Sequence, residues 1–205
     1  MKDFWNERFS HEEYAYGTEP NVFFKQSLDQ YKPKGKILMP AEGEGRNAVY
    51  AAKTGLEAYA FDISEEGKRK ALELAKKENV TLNYEVGNFA ELLLTQNNYD
   101  AIGLIFAHFP PEIKTQFYKK MMELLKSGGL VILEGFSKEN LELKKANPQI
   151  GGPGQLELLF SLEEIKADFP SLEILQLEKC LVKLEEGKFH VGTASVIRFV
   201  GKKKS

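Results

Sequence analysis

The sequence predicts an α/β fold, a Rossmann-like doubly wound sheet finished by an antiparallel hairpin, and three observations carry that expectation. Between Lys36 and about Leu133, strand-like apolar runs alternate with helix-like stretches, the pattern of parallel strands joined by covering helices. The run Asp100–Phe106 is almost wholly apolar, as a central strand covered on both faces has to be. Beyond about residue 170 two long β segments, about 173–184 and 190–200, are joined by Glu185-Glu186-Gly187-Lys188, a hairpin turn by composition.

Taken in order, the elements begin with a helix over about Val22–Tyr31 and a strand from Lys36 through Met39. The chain then enters Pro40-Ala41-Glu42-Gly43-Glu44-Gly45 and opens a helix from Arg46 to about Lys53. Gly43 and Gly45 lack a Cβ, so a ligand can lie against the backbone and the loop can take dihedrals closed to other residues. The free N–H groups and positive dipole end of the helix point to the same place, which suits an anionic or strongly hydrogen-bonding ligand. Glu57–Asp62 reads as the second strand, and Ser64-Glu65-Glu66 caps a helix running to about Glu78. Leu82–Val86 is a short third strand, and Pro110-Pro111 opens a helix through Phe117, Met121 and Leu124. Leu125–Leu133 reads as a helix end, a Gly128-Gly129 turn and a fifth buried strand. A polar, glycine-rich loop covers about 138–155 and a short helix about 161–169.

Composition narrows the function. At 205 residues the chain has the size of one domain with a substantial core. A formal net charge of -2, with 42% hydrophobic and 28% charged residues, gives no nucleic-acid surface. The basic run Lys202-Lys203-Lys204 reads as a solvated tail. No apolar stretch approaches the ~18 residues of a membrane span, and Met1–Arg8 is too charged for a signal peptide, so a cytoplasmic location is expected. One cysteine, Cys180, excludes an internal disulfide and a cysteine-based metal site. Its neighbours alternate as in a strand, so it reads as a packed thiol.

Gly43-x-Gly45-x-x-Ala48 also fits a loose dinucleotide fingerprint with Asp62 as the ribose acid. Three residues, however, separate the last apolar strand position from Gly43. With Leu125-Lys126-Ser127-Gly128-Gly129, the glycine loop resembles the class I S-adenosylmethionine-dependent methyltransferases. Their corresponding pieces read roughly leucine-aspartate-leucine-glycine-cysteine-glycine-x-glycine and leucine-lysine-proline-glycine-glycine. The resemblance is closest to the small tellurite-resistance-type branch, in which the loop continues as arginine-asparagine, as Arg46-Asn47 do here. It implies five parallel strands plus a C-terminal antiparallel hairpin, the seven-stranded methyltransferase fold. It further implies a single methyltransferase domain over 1–205 with 1–31 as an N-terminal lid and helix, S-adenosyl-L-methionine as cofactor, and a small-molecule methyl acceptor such as a chalcogen oxyanion or thiol. Met39 stands where the family has an acid that organises the methionine end of the cofactor, and Ala41 where it has its first glycine. Either Glu42 or Glu44 replaces that acid, or that end is held differently.

The resemblance assigns Glu42, Gly43, Gly45, Arg46, Asp62, Ile63, Asn88, Phe89 and Phe106 to the cofactor. Asp62, at the end of the second strand, can accept both ribose hydroxyls or cap the next helix. Asn88 stands in the place of the adenine-binding aspartate, flanked by Phe89, or is a helix cap. Arg46 can pair with the cofactor carboxylate or sit exposed at the helix start. His108, after the fourth strand, can orient the acceptor or take its proton, or be structural. The aromatic N-terminus, with Trp5, Phe9, Tyr14 and Tyr16, reads as a lid carrying Tyr16 into the acceptor pocket, while Phe23, Phe24 and Leu28 read as core. Gly151-Gly152-Pro153-Gly154 is a second flap or a connector. The other readings are an NAD-linked oxidoreductase and a methyltransferase-like protein that binds the cofactor without turnover.

Overall fold

The computed structural model describes residues 1–89, 92, 94, 96 and 98–204. Parallel strands β1 (Lys36–Pro40), β2 (Glu57–Asp62), β3 (Asn83–Val86), β4 (Tyr99–Ile105) and β5 (Leu125–Phe136) are followed by β6 (Leu172–Glu186) and β7 (His190–Lys203). They form one seven-stranded sheet in the order β3-β2-β1-β4-β5-β7-β6, with β7 antiparallel to both β5 and β6. Strand order reverses between β1 and β4, and open sheets of this kind bind ligands at the carboxyl ends beside such a switch point.

The helices are α1 (Lys2–Phe9), α2 (Val22–Tyr31), α3 (Arg46–Lys53), α4 (Glu65–Lys77), α5 (Pro111–Leu124), α6 (Asn140–Ala146) and α7 (Leu162–Asp168). Their starts follow from their caps. The Asn21 side chain accepts from the Phe24 N–H, Ser64 Oγ from the Gly67 N–H, and Ser161 forms a reciprocal capping box with Glu164. Alternation along the strands divides the core. Ile37, Met39, Ala101 and Ile132 face α2, α3 and α4, while Leu38, Ile102, Leu104, Val131 and Leu133 face Phe117, Tyr118 and Met121 of α5 and Ile165 of α7. Phe23, Phe24 and Leu28 belong to the first of these layers, as the sequence indicates.

Three local expectations change. The Gly128-Gly129 turn lies inside β5, where register shifts between Tyr99 and Ala101 and Gly128 takes a φ of +76°. The supposed loop 138–155 contains α6 and a short 3-10 turn, Pro148–Ile150. Lys203 is no free tail residue, since its ammonium donates to the Leu125 carbonyl at 2.7 Å and to that of Met122. Cys180 is half-buried in β6, its thiol pushed up by burial. Among the described residues no helix is long and apolar enough to cross a membrane.

Candidate active site

The site is built around the turn between β1 and α3. Met39, in the position of the family acid, is fully buried. A Cβ on Gly103 would stand 2.6 Å from its sulfur and 3.1 Å from Phe24, so Met39 is a core residue lying over a glycine. Ala41 keeps the left-handed backbone of the glycine it replaces, at φ +52°.

The bare faces of the two loop glycines meet protein, which corrects the expectation that their missing side chains make room for a ligand. A Cβ on Gly43 would come to 3.0 Å from the Phe9 ring, and one on Gly45 to 2.5 Å from Ala71 Cβ on α4. Gly45 is thus required for helix packing, at φ +86°. The helix end is also spoken for. Glu42 Oε1 accepts the N–H groups of Asn47 at 2.8 Å and Ala48 at 2.7 Å, so a carboxylate of the chain itself caps α3. A cofactor carboxylate has no place there, and a cation suits the site better.

Asp62 closes the other side. Its two oxygens accept the N–H of Gly43 at 3.0 Å and of Ser64 at 2.9 Å, tying the glycine loop to the end of β2. Tyr84 on β3 donates its hydroxyl to the Gly43 carbonyl at 2.6 Å. Burial pushes the Asp62 carboxyl up, and pushes Glu42 up to about 7. The Ile63 N–H also bears on Asp62, and a carboxylate has about four lone-pair sites, so Asp62 keeps capacity for a further donor, while both backbone N–H groups on Glu42 fall on Oε1. Two neighbouring buried acids with spare acceptor capacity match a ligand that brings hydroxyl donors and an ammonium. The residues therefore fit the ribose and amino ends of S-adenosylmethionine, with half-buried Ile63 and exposed Asn88 at the same sheet edge.

Glu42 makes stability respond to pH. Its carboxyl titrates near 4.5 when unfolded and at about 7 when folded. Between those values the folded chain holds a proton that the unfolded chain has released, so stability falls as pH rises through that window. Glu42→Gln keeps the two N–H acceptors and removes the titration. Relative to it, wild type is expected to lose on the order of 3 kcal/mol between pH 4.5 and 8, read from urea midpoints. Parallel pH profiles for the two proteins would remove the raised carboxyl.

Other site expectations are redirected. Arg46 is buried, but its guanidinium donates to Glu186 at 2.8 Å and to the carbonyls of Tyr16 and Glu19, not into the cofactor loop. Phe89 is a core ring, stacked 5.3 Å from Phe61 and tilted against Phe117 at 4.2 Å. His108 Nδ1 lies 2.7 Å from the Leu158 carbonyl, and Nε2 takes the Phe136 N–H at 3.2 Å. With both nitrogens bound to backbone and burial pushing its imidazole down to about 4, His108 is a neutral staple and not the acceptor's base. Glu44 is not a cofactor acid either, because it pairs with Lys70 and accepts the Ala15 N–H at 2.8 Å.

Phe106 stands at the carboxyl end of β4 at φ +53°, in ring contact with Phe136 at 4.6 Å and His190 at 4.5 Å. Tyr16 reaches the same cluster, 4.5 Å from His190, with Arg8 donating to its hydroxyl at 3.0 Å. The sequence places Glu186 and His190 only in the hairpin and gives neither a role at the site. Hairpin register, had it been fixed, would have set Glu186 opposite His190 and flagged a carboxylate–imidazole pair.

The N-terminal segment lies closed over the loop. Lys70 on α4 is 2% exposed. Its ammonium meets Glu44 at 2.6 Å and donates to the carbonyls of His11 at 2.8 Å and Glu13 at 2.7 Å, under the Tyr14 ring. Asn6 accepts from Ser64 Oγ at 2.7 Å, and Phe9 covers Gly43. Between this segment and the hairpin is a cavity of about 540 Å³, walled by Asn21, Arg46, Glu134, Glu186 and Arg198.

Residues 37–129 match a family model described as a methyltransferase domain. No curated protein matches the chain. Among solved structures, a protein studied for conversion of a disulfide into a thioacetal during echinomycin biosynthesis is 13% identical, with TM-score 0.77 over 100% of this chain and 92% of its own. TehB from Haemophilus influenzae is 18% identical, TM-score 0.71, over 99% of this chain and 67% of its own. A 1,6-didemethyltoxoflavin-N1-methyltransferase from Burkholderia thailandensis, solved with S-adenosylhomocysteine and its substrate, is 13% identical, TM-score 0.63, over 89% of this chain and 76% of its own. The likeness to these structures is one of fold: the seven-stranded sheet with its C-terminal antiparallel hairpin is the class I methyltransferase fold.

Proposed function

We propose that the chain is an S-adenosylmethionine-dependent methyltransferase acting on a small-molecule acceptor, a reading supported by the match of residues 37–129 to a methyltransferase family model. The observation that carries this is the buried acid pair, Glu42 and Asp62, beside the glycine loop at the switch point. When bound, the cofactor supplies an electrophilic methyl group on a sulfonium. Asp62 holds ribose hydroxyls, Glu42 the ammonium, and Ile63 and Asn88 border the adenine. Gly43, Gly45 and Phe106 shape the floor, and the closed N-terminal segment with Tyr16 excludes water. The continuation of the loop as Arg46-Asn47, which resembles the tellurite-resistance-type branch, supports a chalcogen oxyanion as one acceptor class, and a thiol is the other. A cytoplasmic setting and a single domain over 1–205 go with this reading.

S-adenosylhomocysteine is expected to bind in the low-micromolar range, about -8 kcal/mol, and NAD not to bind measurably, in calorimetric titrations of one preparation. Tight NAD binding with no response to either adenosyl ligand would replace the reading with an oxidoreductase. Binding of both adenosyl ligands with no methyl transfer to any acceptor would leave a cofactor-binding protein.

A further inference from the structure

The mechanism above leaves one buried pair without a role. His190 opens β7 and stands in register with Glu186 across the hairpin, so the two side chains rise together on one face. Nδ1 lies 3.0 Å from Glu186 Oε2, which also takes Arg46 Nη2 at 2.8 Å. His190 is 5% exposed. Its ring is enclosed by Tyr16 at 4.5 Å, Phe106 at 4.5 Å and Phe136 at 5.3 Å. The far edge lies against the glycine segment, where a Cβ on Gly151 would stand 2.7 Å from Cδ2 and 3.3 Å from Nε2. Phe106 links this cluster to the carboxyl end of β4, beside the switch point where the cofactor belongs.

Resting on the methyltransferase reading, we propose that His190 is the proton acceptor of the transfer site. Glu186 holds it in the Nδ1–H form, leaving Nε2, on the Gly151 side of the ring, to meet a neutral acceptor bearing a hydroxyl or thiol. The acceptor atom exchanges its O–H or S–H bond for a bond to methyl, the C–S electron pair stays on the cofactor sulfur, and Nε2 takes the released proton. The imidazolium so formed pairs with Glu186 and later returns its proton to water. Carboxylate support of this kind fixes the tautomer and stabilises the cation.

The surroundings favour a neutral acceptor over an oxyanion. The polar and charged groups facing His190 are Glu186 of the hairpin, Arg46 of α3, Arg8 and Tyr16 of the N-terminal segment, and His108 beyond β4. Arg46 is already paired with Glu186, and Arg8 is bound to the Tyr16 hydroxyl and stacked 4.3 Å over Phe189. An anionic acceptor would need a cation and no base, whereas a neutral one in an aromatic enclosure needs a base. Burial holds the imidazole below its ordinary value against the pull of Glu186.

The chain has three histidines, which makes ring ¹⁵N spectra assignable from His11, His108 and His190 variants. In wild type at neutral pH, His190 is expected as the Nδ1–H tautomer with Nε2 bare. S-adenosylhomocysteine should shift its ring signals, and Glu186→Gln should abolish the tautomer preference. Turnover is read as S-adenosylhomocysteine release with dithiothreitol, catechol and selenite as probes. His190→Asn should lower kcat for the thiol or catechol by about 10²–10³-fold with unchanged S-adenosylhomocysteine affinity. The proposal is overturned by a protonated Nε2 at neutral pH, by His190 signals that ignore bound S-adenosylhomocysteine, or by selenite as the sole probe turned over. The ring signals decide the matter even where none of the probes reacts, and failure to bind S-adenosylhomocysteine counts against the methyltransferase reading itself.

Discussion

Lys70→Met is expected to destabilise the protein by about 3–5 kcal/mol, the range for leaving one partner of a buried ion pair uncompensated. The ammonium is 2% exposed, sits 2.6 Å from Glu44, and donates to two carbonyls of the N-terminal segment. Removing it strands the Glu44 carboxylate in a site where burial already pushes its carboxyl up, and leaves the carbonyls of His11 and Glu13 unpaired. The loss should appear as a lower denaturant midpoint. Faster hydrogen exchange should be confined first to residues 11–16, because that stretch is tied to the loop through this pair. Adding Glu44→Gln to Lys70→Met should recover part of the loss, since no charge then remains buried. A single-variant loss below about 1 kcal/mol, the size of a surface pair, would show that the pair is solvated and does not fasten the segment.

Asp62→Ala is expected to weaken S-adenosylhomocysteine binding by about 1.5–3 kcal/mol, the range for lost hydrogen bonds to a charged group. It also costs stability, because Asp62 holds the N–H groups of Gly43 and Ser64, each of which would be orphaned in a buried place. Binding must therefore be titrated well below the variant's melting temperature. Asp62→Asn separates the two effects: its single oxygen can keep one N–H, so the fold should recover more than the affinity does. Normal affinity in a folded Asp62→Ala protein would reduce the residue to a loop staple.

The sequence announces the sheet clearly, and for physical reasons. Asp100–Phe106 had to be covered on both faces, and Ser64 stood where a helix needed an acceptor for the Gly67 N–H. The glycine loop was legible as a place but not as a direction. Nothing in the spacing says that Gly45 faces Ala71 and Gly43 faces Phe9, because that depends on how α1 and α4 pack. His108 was attractive by its place after β4, yet the carbonyl of Leu158, fifty positions on, takes one nitrogen. Arg46 likewise met a carboxylate 140 positions away. Groups whose partners are distant in sequence are the ones local pattern misjudges, and at this site they include Glu44, Lys70, Glu186 and His190.

The meeting of Asn21, Arg46 and Glu186 has a consequence for the order in which the molecule acquires its shape. Asn21 reaches Glu186 across 165 positions, and Arg46 across 140, so these contacts close very long loops. Their entropic cost falls before any contact repays it, which places them late in folding, after β1, β4 and β5 have paired. A nascent chain can thus assemble the middle of its sheet while the reaction chamber stays unfinished. The cavity is completed only when the final hairpin meets the opening segment, so a half-made molecule has its sheet before it has an enclosed site.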